Sequence, residues 1–238
     1  MARKYQLREQ RAGTVINEVS KGQESEVVQA LHLVESRLRK EFGADILYAH
    51  ERQWYLRDIV SELRKTFPEV EFFCHFDTSS IRPDGGILFM RSASTTDITY
   101  PILIAEVKNQ GTNDLRLKEG LSKQSRGNAI ERLGKNVIGL RAALLRESIF
   151  PFVCFGYGCD FEESSSILDR VSTIAMFGRL NTTYLHNEES GKINRGSFYF
   201  RENKWEVREM ADVMADIAIR SVQYYFSKYK EKSFRRGS

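Results

Sequence analysis

The chain reads as an α/β fold, a mixed β-sheet flanked by helices. Three observations predict it. Strand-like and helix-like segments alternate along the sequence, which favours packed layers of both kinds. Ile102-Leu103-Ile104-Ala105 is an unbroken apolar run, as expected of a strand buried on both faces. Ile130, Leu133, Val137, Leu140 and Leu144 recur at i, i+3, i+4 spacing, which lays one apolar stripe along a long helix.

Taken in order, residues 1–20 are polar and basic and are read as an extended arm. Val27, Val28, Leu31, Leu33, Val34 and Leu38 predict a helix over 23–41. Trp54, Leu56, Ile59, Val60 and Leu63 predict a second over 51–66, ended by Pro68. Residues 70–76 are aromatic and β-branched and are read as a strand. Gly85-Gly86 opens another over 87–90, and the polar cluster 92–96 turns the chain into a third over 98–107. A basic loop is expected over 108–126, a helix over 128–147, a strand over 150–155, a helix over 164–177, a strand over 198–200 and a final helix over 205–229. We read the 238 residues as one domain, 1–238, with the arm at one end and a basic tail, 230–238, at the other.

Composition narrows the function classes. A hydrophobic fraction of 41% with 29% charged residues excludes a mostly disordered or collagen-like chain. The net charge of +4 permits an anionic partner without demanding one. The apolar stretch 140–156 is broken by Arg141, Arg146 and Glu147, so no membrane span is expected. No signal peptide is visible, and a cytoplasmic location is expected. Cys74 and Cys154 sit in apolar segments and, with Cys159, read as reduced thiols, the first two in the core. The four histidines are scattered, so no zinc site is expected.

Two segments carry chemistry: Arg82-Pro83-Asp84-Gly85-Gly86 and Ala105-Glu106-Val107-Lys108. If the strands 87–90 and 98–107 pair as a hairpin, Asp84 and Glu106 meet at one end of it. Glu106 and Lys108, two residues apart on a strand, point to one face. Two carboxylates with a backbone carbonyl, that of Val107, form a hard-oxygen site suited to Mg²⁺, which activates water and polarises a phosphoryl oxygen. Lys108 orients the water or offsets charge on phosphorus. The bland alternative is an ordinary Pro-Asp-Gly-Gly turn beside an exposed ion pair. The buried run that leads straight into Glu106 favours a site.

These residues resemble the PD-(D/E)xK nuclease superfamily. Ser79-Ser80-Ile81-Arg82-Pro83-Asp84-Gly85-Gly86-Ile87 and Ala105-Glu106-Val107-Lys108-Asn109-Gln110-Gly111 are similar to the matching stretches of EcoRI-like type II restriction endonucleases. Arg126-Gly127-Asn128-Ala129-Ile130-Glu131-Arg132 resembles the element shared by the EcoRI and MunI enzymes, which read an AATT core. Residues 128, 131 and 132 share a face of the first helical turn. Asn128 can bond adenine N6 and N7, Glu131 can accept from an adenine amino group, and Arg132 can bond bases or brace Glu131. A capping role for Asn128 and Glu131 is the alternative, and the two can coexist. Arg126 matches a position that can reach a guanine of the outer pair or grip phosphate. Ile167-Leu168-Asp169-Arg170 resembles a family segment in which the residue matching Arg170 helps to read the site; a second family arginine is Thr173 here.

The resemblance covers roughly residues 75–230. It implies a restriction-endonuclease-like core and Mg²⁺-dependent hydrolysis of double-stranded DNA at a short palindrome with an AATT core, leaving 5′ overhangs and 5′-phosphates. It also implies a homodimer, a cognate DNA methyltransferase as functional partner, and a bacterial or archaeal cytoplasm. The alternatives are a nuclease of repair or recombination with little sequence preference, and a non-cleaving DNA-binding protein on the same scaffold. Basic residues of the arm (Arg3, Lys4, Arg8, Arg11) and of the tail can grip phosphate; for the tail the expectation is a solvated end.

Overall fold

The computed structural model describes residues 15–95, 98–109, 111–122, 128–162, 165, 168, 179–187 and 194–237. The chain begins with α1 (Val15–Phe42), then β1 (Tyr48–Glu51), β2 (Trp54–Tyr55), α2 (Leu56–Thr66) and β3 (Ser80–Ile81). The hairpin strands β4 (Gly86–Arg91) and β5 (Thr99–Asn109) follow, then α3 (Gly111–Lys118), α4 (Asn128–Ala143), β6 (Phe152–Tyr157), β7 (Ser197–Arg201) and α5 (Val207–Tyr229), with a 3₁₀ turn at Glu231–Ser233.

The main sheet has five strands in the order β1-β4-β5-β6-β7. Its first three strands are antiparallel and its last three parallel, so the sheet is mixed as expected. Alternation along the strands sorts the core into two layers. Leu88, Met90, Leu103, Ala105, Val153 and Phe155 meet α1 and α5 on one face. Ile87, Ile104, Phe152, Cys154 and Phe198 meet the Leu133-Val137-Leu140-Leu144 stripe of α4 on the other. Each fully buried side chain of this size contributes about 1.5–3 kcal/mol by leaving water, so the two layers hold the sheet between helices. The N-terminus of α5 is closed by its own carboxylate, Glu209 accepting from the backbone N–H of Glu206 at 2.9 Å.

The structure departs from the sequence reading in several places. The stretch 70–76 is irregular, not a strand. The free edge of β4 is taken by β1, with Tyr48 opposite Met90 and Glu51 opposite Ile87. Residues 70–76 pair with no strand, and Phe73 and Phe76 lie 64% and 70% exposed. Cys74 is accordingly only half-buried, whereas Cys154 is in the core. The first helix begins earlier than expected, so residues 15–20 of the expected arm are helical; residues 1–14 lie outside the described chain. Residues 51–55 end one strand and form another before α2 begins. A helix, α3, occupies part of the expected loop, and α4 stops at Ala143 rather than 147. The helix expected over 164–177 falls outside the described residues, apart from Ser165 and Leu168.

The basic tail is solvated at Lys230, Lys232 and Arg236, as expected, but it is pinned in the middle. Phe234 is 1% exposed, and Arg235 donates to Asp45 at 2.8 Å and to the Phe42 carbonyl at 3.0 Å. A lone aromatic among basic residues carries no periodic signal, so composition does not show this anchor. Among the described residues, no helix is long and apolar enough to cross a membrane.

Candidate active site

The β4–β5 hairpin builds the corner where the chemistry-bearing residues meet. Gly86 pairs with Ala105 as the last rung of the ladder. Beyond it β4 gives way to the Pro83–Gly86 turn, while β5 continues through Glu106, Val107 and Lys108 against β6. Asp84 and the end of β5 are thereby brought together, as the 22-residue spacing predicts. Gly85 donates its N–H to the Ala105 carbonyl at 2.9 Å. A Cβ on Gly85 would come within 2.8 Å of the Ala105 Cβ. Only glycine lets the turn lie this close to β5.

Alternation puts Glu106 and Lys108 on the face of Ile104 and Cys154, the α4 side of the sheet. Glu106 is buried, 1% exposed. Its Oε2 accepts the Asp84 backbone N–H at 3.0 Å, and its Oε1 touches the Lys108 ammonium. Lys108 Nζ also donates to Asp84 Oδ2 at 2.8 Å. Burial pushes the Glu106 carboxyl up to about 7; the Lys108 ammonium pulls against that shift and the Asp84 charge adds to it. Lys108 is held above the usual lysine range because its two carboxylates outweigh its own burial. Two carboxylates converge here on one positive charge, in a place with little water to screen them.

The donor set fits a hard divalent cation. Ala105 turns its carbonyl toward the Asp84 turn, where Gly85 donates to it. Val107, two residues further along, turns its own carbonyl the same way, past the end of β4. Asp84, Glu106 and the Val107 carbonyl are all oxygen donors, which suits Mg²⁺. Among the described residues no cluster of three or more His, Cys, Asp or Glu side chains offers an alternative metal site.

The topology places the start of α4 at the same edge. β5 and β6 are parallel neighbours joined through α4, so α4 runs back across the sheet and begins above the strands' C-terminal ends. Asn128, Glu131 and Arg132 lie in its first helical turn. Their side chains lie outside the description, as do Arg126 and Arg170 altogether.

Sequence reasoning missed the wall opposite Asp84. An open cleft of about 790 Å³ in front of the turn is lined by Glu24 of α1, by His50, Arg52 and Gln53 at and after β1, and by Arg82. Arg82 belongs to the segment already singled out, but Glu24, His50, Arg52 and Gln53 form no motif with Asp84: they are 30 or more positions away, and only the packing of α1 and β1 on the sheet brings them here.

Comparisons with known proteins fit this geometry. The family model described as the restriction endonuclease EcoRI matches residues 9–232. The chain is 26% identical over 245 aligned residues to the type II restriction enzyme EcoRI of Escherichia coli, covering 88% of this chain and 87% of that protein. It is 28% identical over 199 residues to the type II restriction enzyme RsrI of Cereibacter sphaeroides, covering 69% and 71%. The span of the family match takes in the Asp84–Glu106–Lys108 corner, α4 and α5, and the chain belongs to the EcoRI family of restriction endonucleases.

Proposed function

We propose that this protein is a homodimeric type II restriction endonuclease that hydrolyses double-stranded DNA at a short palindrome with an AATT core, using Mg²⁺. The observation that carries the reading is the convergence of Asp84, Glu106 and Lys108 at the strand end above which α4 begins. Catalysis and base reading are then adjacent on one edge of the sheet.

In this reading Asp84, Glu106 and the Val107 carbonyl hold the cation. Bound there, Mg²⁺ supplies Lewis-acid polarisation of the phosphoryl oxygen and a lowered pKa for water. Lys108 directs its ammonium at the attacking water and offsets charge on the pentacoordinate phosphorus. The new bond joins the water oxygen to phosphorus, the P–O3′ bond breaks, and the products are a 3′-hydroxyl and a 5′-phosphate within 5′ AATT overhangs. Asn128, Glu131 and Arg132 read the inner bases from the first turn of α4, and Arg126 and Arg170 contribute to the rest of the site. A palindrome read by one chain calls for a two-fold dimer. A cognate methyltransferase completes the system in the host cytoplasm.

The test is to digest a sequenced phage genome with purified protein and Mg²⁺ and to sequence the ends. Discrete ends that all carry AATT are expected. A featureless smear would mean a nuclease without sequence preference. A gel shift without any cutting would mean a binding protein. Asn128→Ala is expected to lose ~1–3 kcal/mol of discrimination at an adenine, and unchanged preference in that variant removes the reading role.

A further inference from the structure

We propose that His50 is a positioning residue for the cation site: its imidazole fixes the backbone of the Asp84 turn and so aims the Asp84 carboxylate. This rests on the metal reading given above. His50 lies on β1, opposite Leu88 of β4. Its Nε2 is 2.9 Å from the Gly85 carbonyl oxygen. A carbonyl can only accept, so Nε2 carries the proton and donates.

The geometry around this bond is tight. Gly86 has φ +80°, and a Cβ there would stand 2.5 Å from His50 Nε2 and 2.7 Å from the Glu51 carbonyl. The turn is thus pressed against β1 with no side chain between them. The two peptides that flank Asp84 are tied down as well. Asp84 N–H donates to Glu106 Oε2 at 3.0 Å, and Gly85 N–H to the Ala105 carbonyl at 2.9 Å. Both of these ties come from β5. The His50 bond comes from the opposite strand and holds the next peptide, 85–86, by its carbonyl, so three successive peptides around Asp84 are each anchored and the turn cannot swing about its β5 ties. A carboxylate on so short a side chain is aimed by its backbone. Partners that orient a ligand from behind in this way typically change metal affinity by about 10–100-fold when removed.

Two variants separate the hydrogen bond from mere packing. His50→Phe keeps a ring and loses the donor. His50→Gln loses the ring but can place an amide N–H near the Nε2 position. Mn²⁺ binding to the full metal-free chain is measured by calorimetric titration, with the unfolding temperature recorded alongside. His50→Phe is expected to bind Mn²⁺ about 10-fold more weakly, and His50→Gln to bind like the parent. Parent-like binding by His50→Phe overturns the proposal. Equal weakening in both variants, with a lowered unfolding temperature, also overturns it and leaves His50 as packing. A parent chain that binds no Mn²⁺ sinks the metal site and the His50 role together. A parent chain that binds Mn²⁺ in the expected His50-dependent way yet cuts no DNA sinks the nuclease reading alone.

Discussion

Two glutamates clamped by lysines lie near opposite ends of β5, Glu106 on the strand itself and Glu147 in the turns after α4, and their surroundings differ. At the far end Glu147 reaches Tyr229, whose ring packs on Tyr100 near the start of the strand. Glu147 accepts from Tyr224 at 2.9 Å, Lys228 at 2.8 Å and Tyr229 at 2.9 Å. Three donors satisfy it, and it remains partly wetted. At the near end, roughly 20 Å away by strand rise, Glu106 is more deeply buried and shares its lysine with a second carboxylate. The first cluster fastens α5 to the end of α4. The second packs two carboxylates against one ammonium at a cost in desolvation, which is the imbalance the proposed cation would relieve. The same residue pair thus serves as a strap where donors suffice and as a site where they do not.

The largest expected break in this contrast is at the near end. Asp84→Ala or Glu106→Ala should lower single-turnover cleavage by about 10³-fold or more, the several kcal/mol that a catalytic metal contributes. Unfolding temperature should change little by comparison, and metal-free DNA binding should persist; full cutting by either variant would sink the site assignment. At the far end the pattern reverses. Glu147→Ala leaves Lys228 and two tyrosine hydroxyls short of a partner and should lower stability by about 1–3 kcal/mol, seen as a shifted denaturation midpoint. Cleavage per folded molecule should stay at the parent level.

The titration of Glu106 gives a third expectation. Its carboxyl is raised to about 7, so the metal-free fold favours the protonated acid, and this group's contribution to stability is lost as pH rises through that value. Cation binding needs the ionised form. At subsaturating Mg²⁺, cleavage should therefore fall about tenfold per pH unit below about 7. A flat profile from pH 5.5 to 8 would show that Glu106 is already ionised. The smallest effect is expected at the tail. Arg235→Ala breaks a solvent-screened pair with Asp45 and should leave the denaturation midpoint nearly unmoved, without altering cleavage; a clear drop in the midpoint would mean that the tail locks α1 to α5.

Aromatic content misled the sequence reading in one region and served it in another. Residues 70–76 and the strand ending at Phe155 are comparably aromatic and β-branched. Phe152 to Phe155 is buried between β5 and β7, while Phe73 and Phe76 face solvent. Strand propensity describes fit to a pleated, half-buried surface, and only tertiary pairing supplies one. Beside β4 that place belongs to β1, only four residues long.

By itself the sequence determined the central strand, the apolar stripe of α4, and the meeting of Asp84 with Glu106 and Lys108. Each of these follows from local periodicity or from a hairpin whose partners are neighbours along the chain. The tertiary structure alone decided that β1 flanks β4, that His50 and Glu24 face the Asp84 turn, and that the basic tail folds back onto Asp45. Those contacts join segments 30 to 190 residues apart. No local pattern encodes such a contact, because its free energy comes from surfaces that exist only once the sheet has formed.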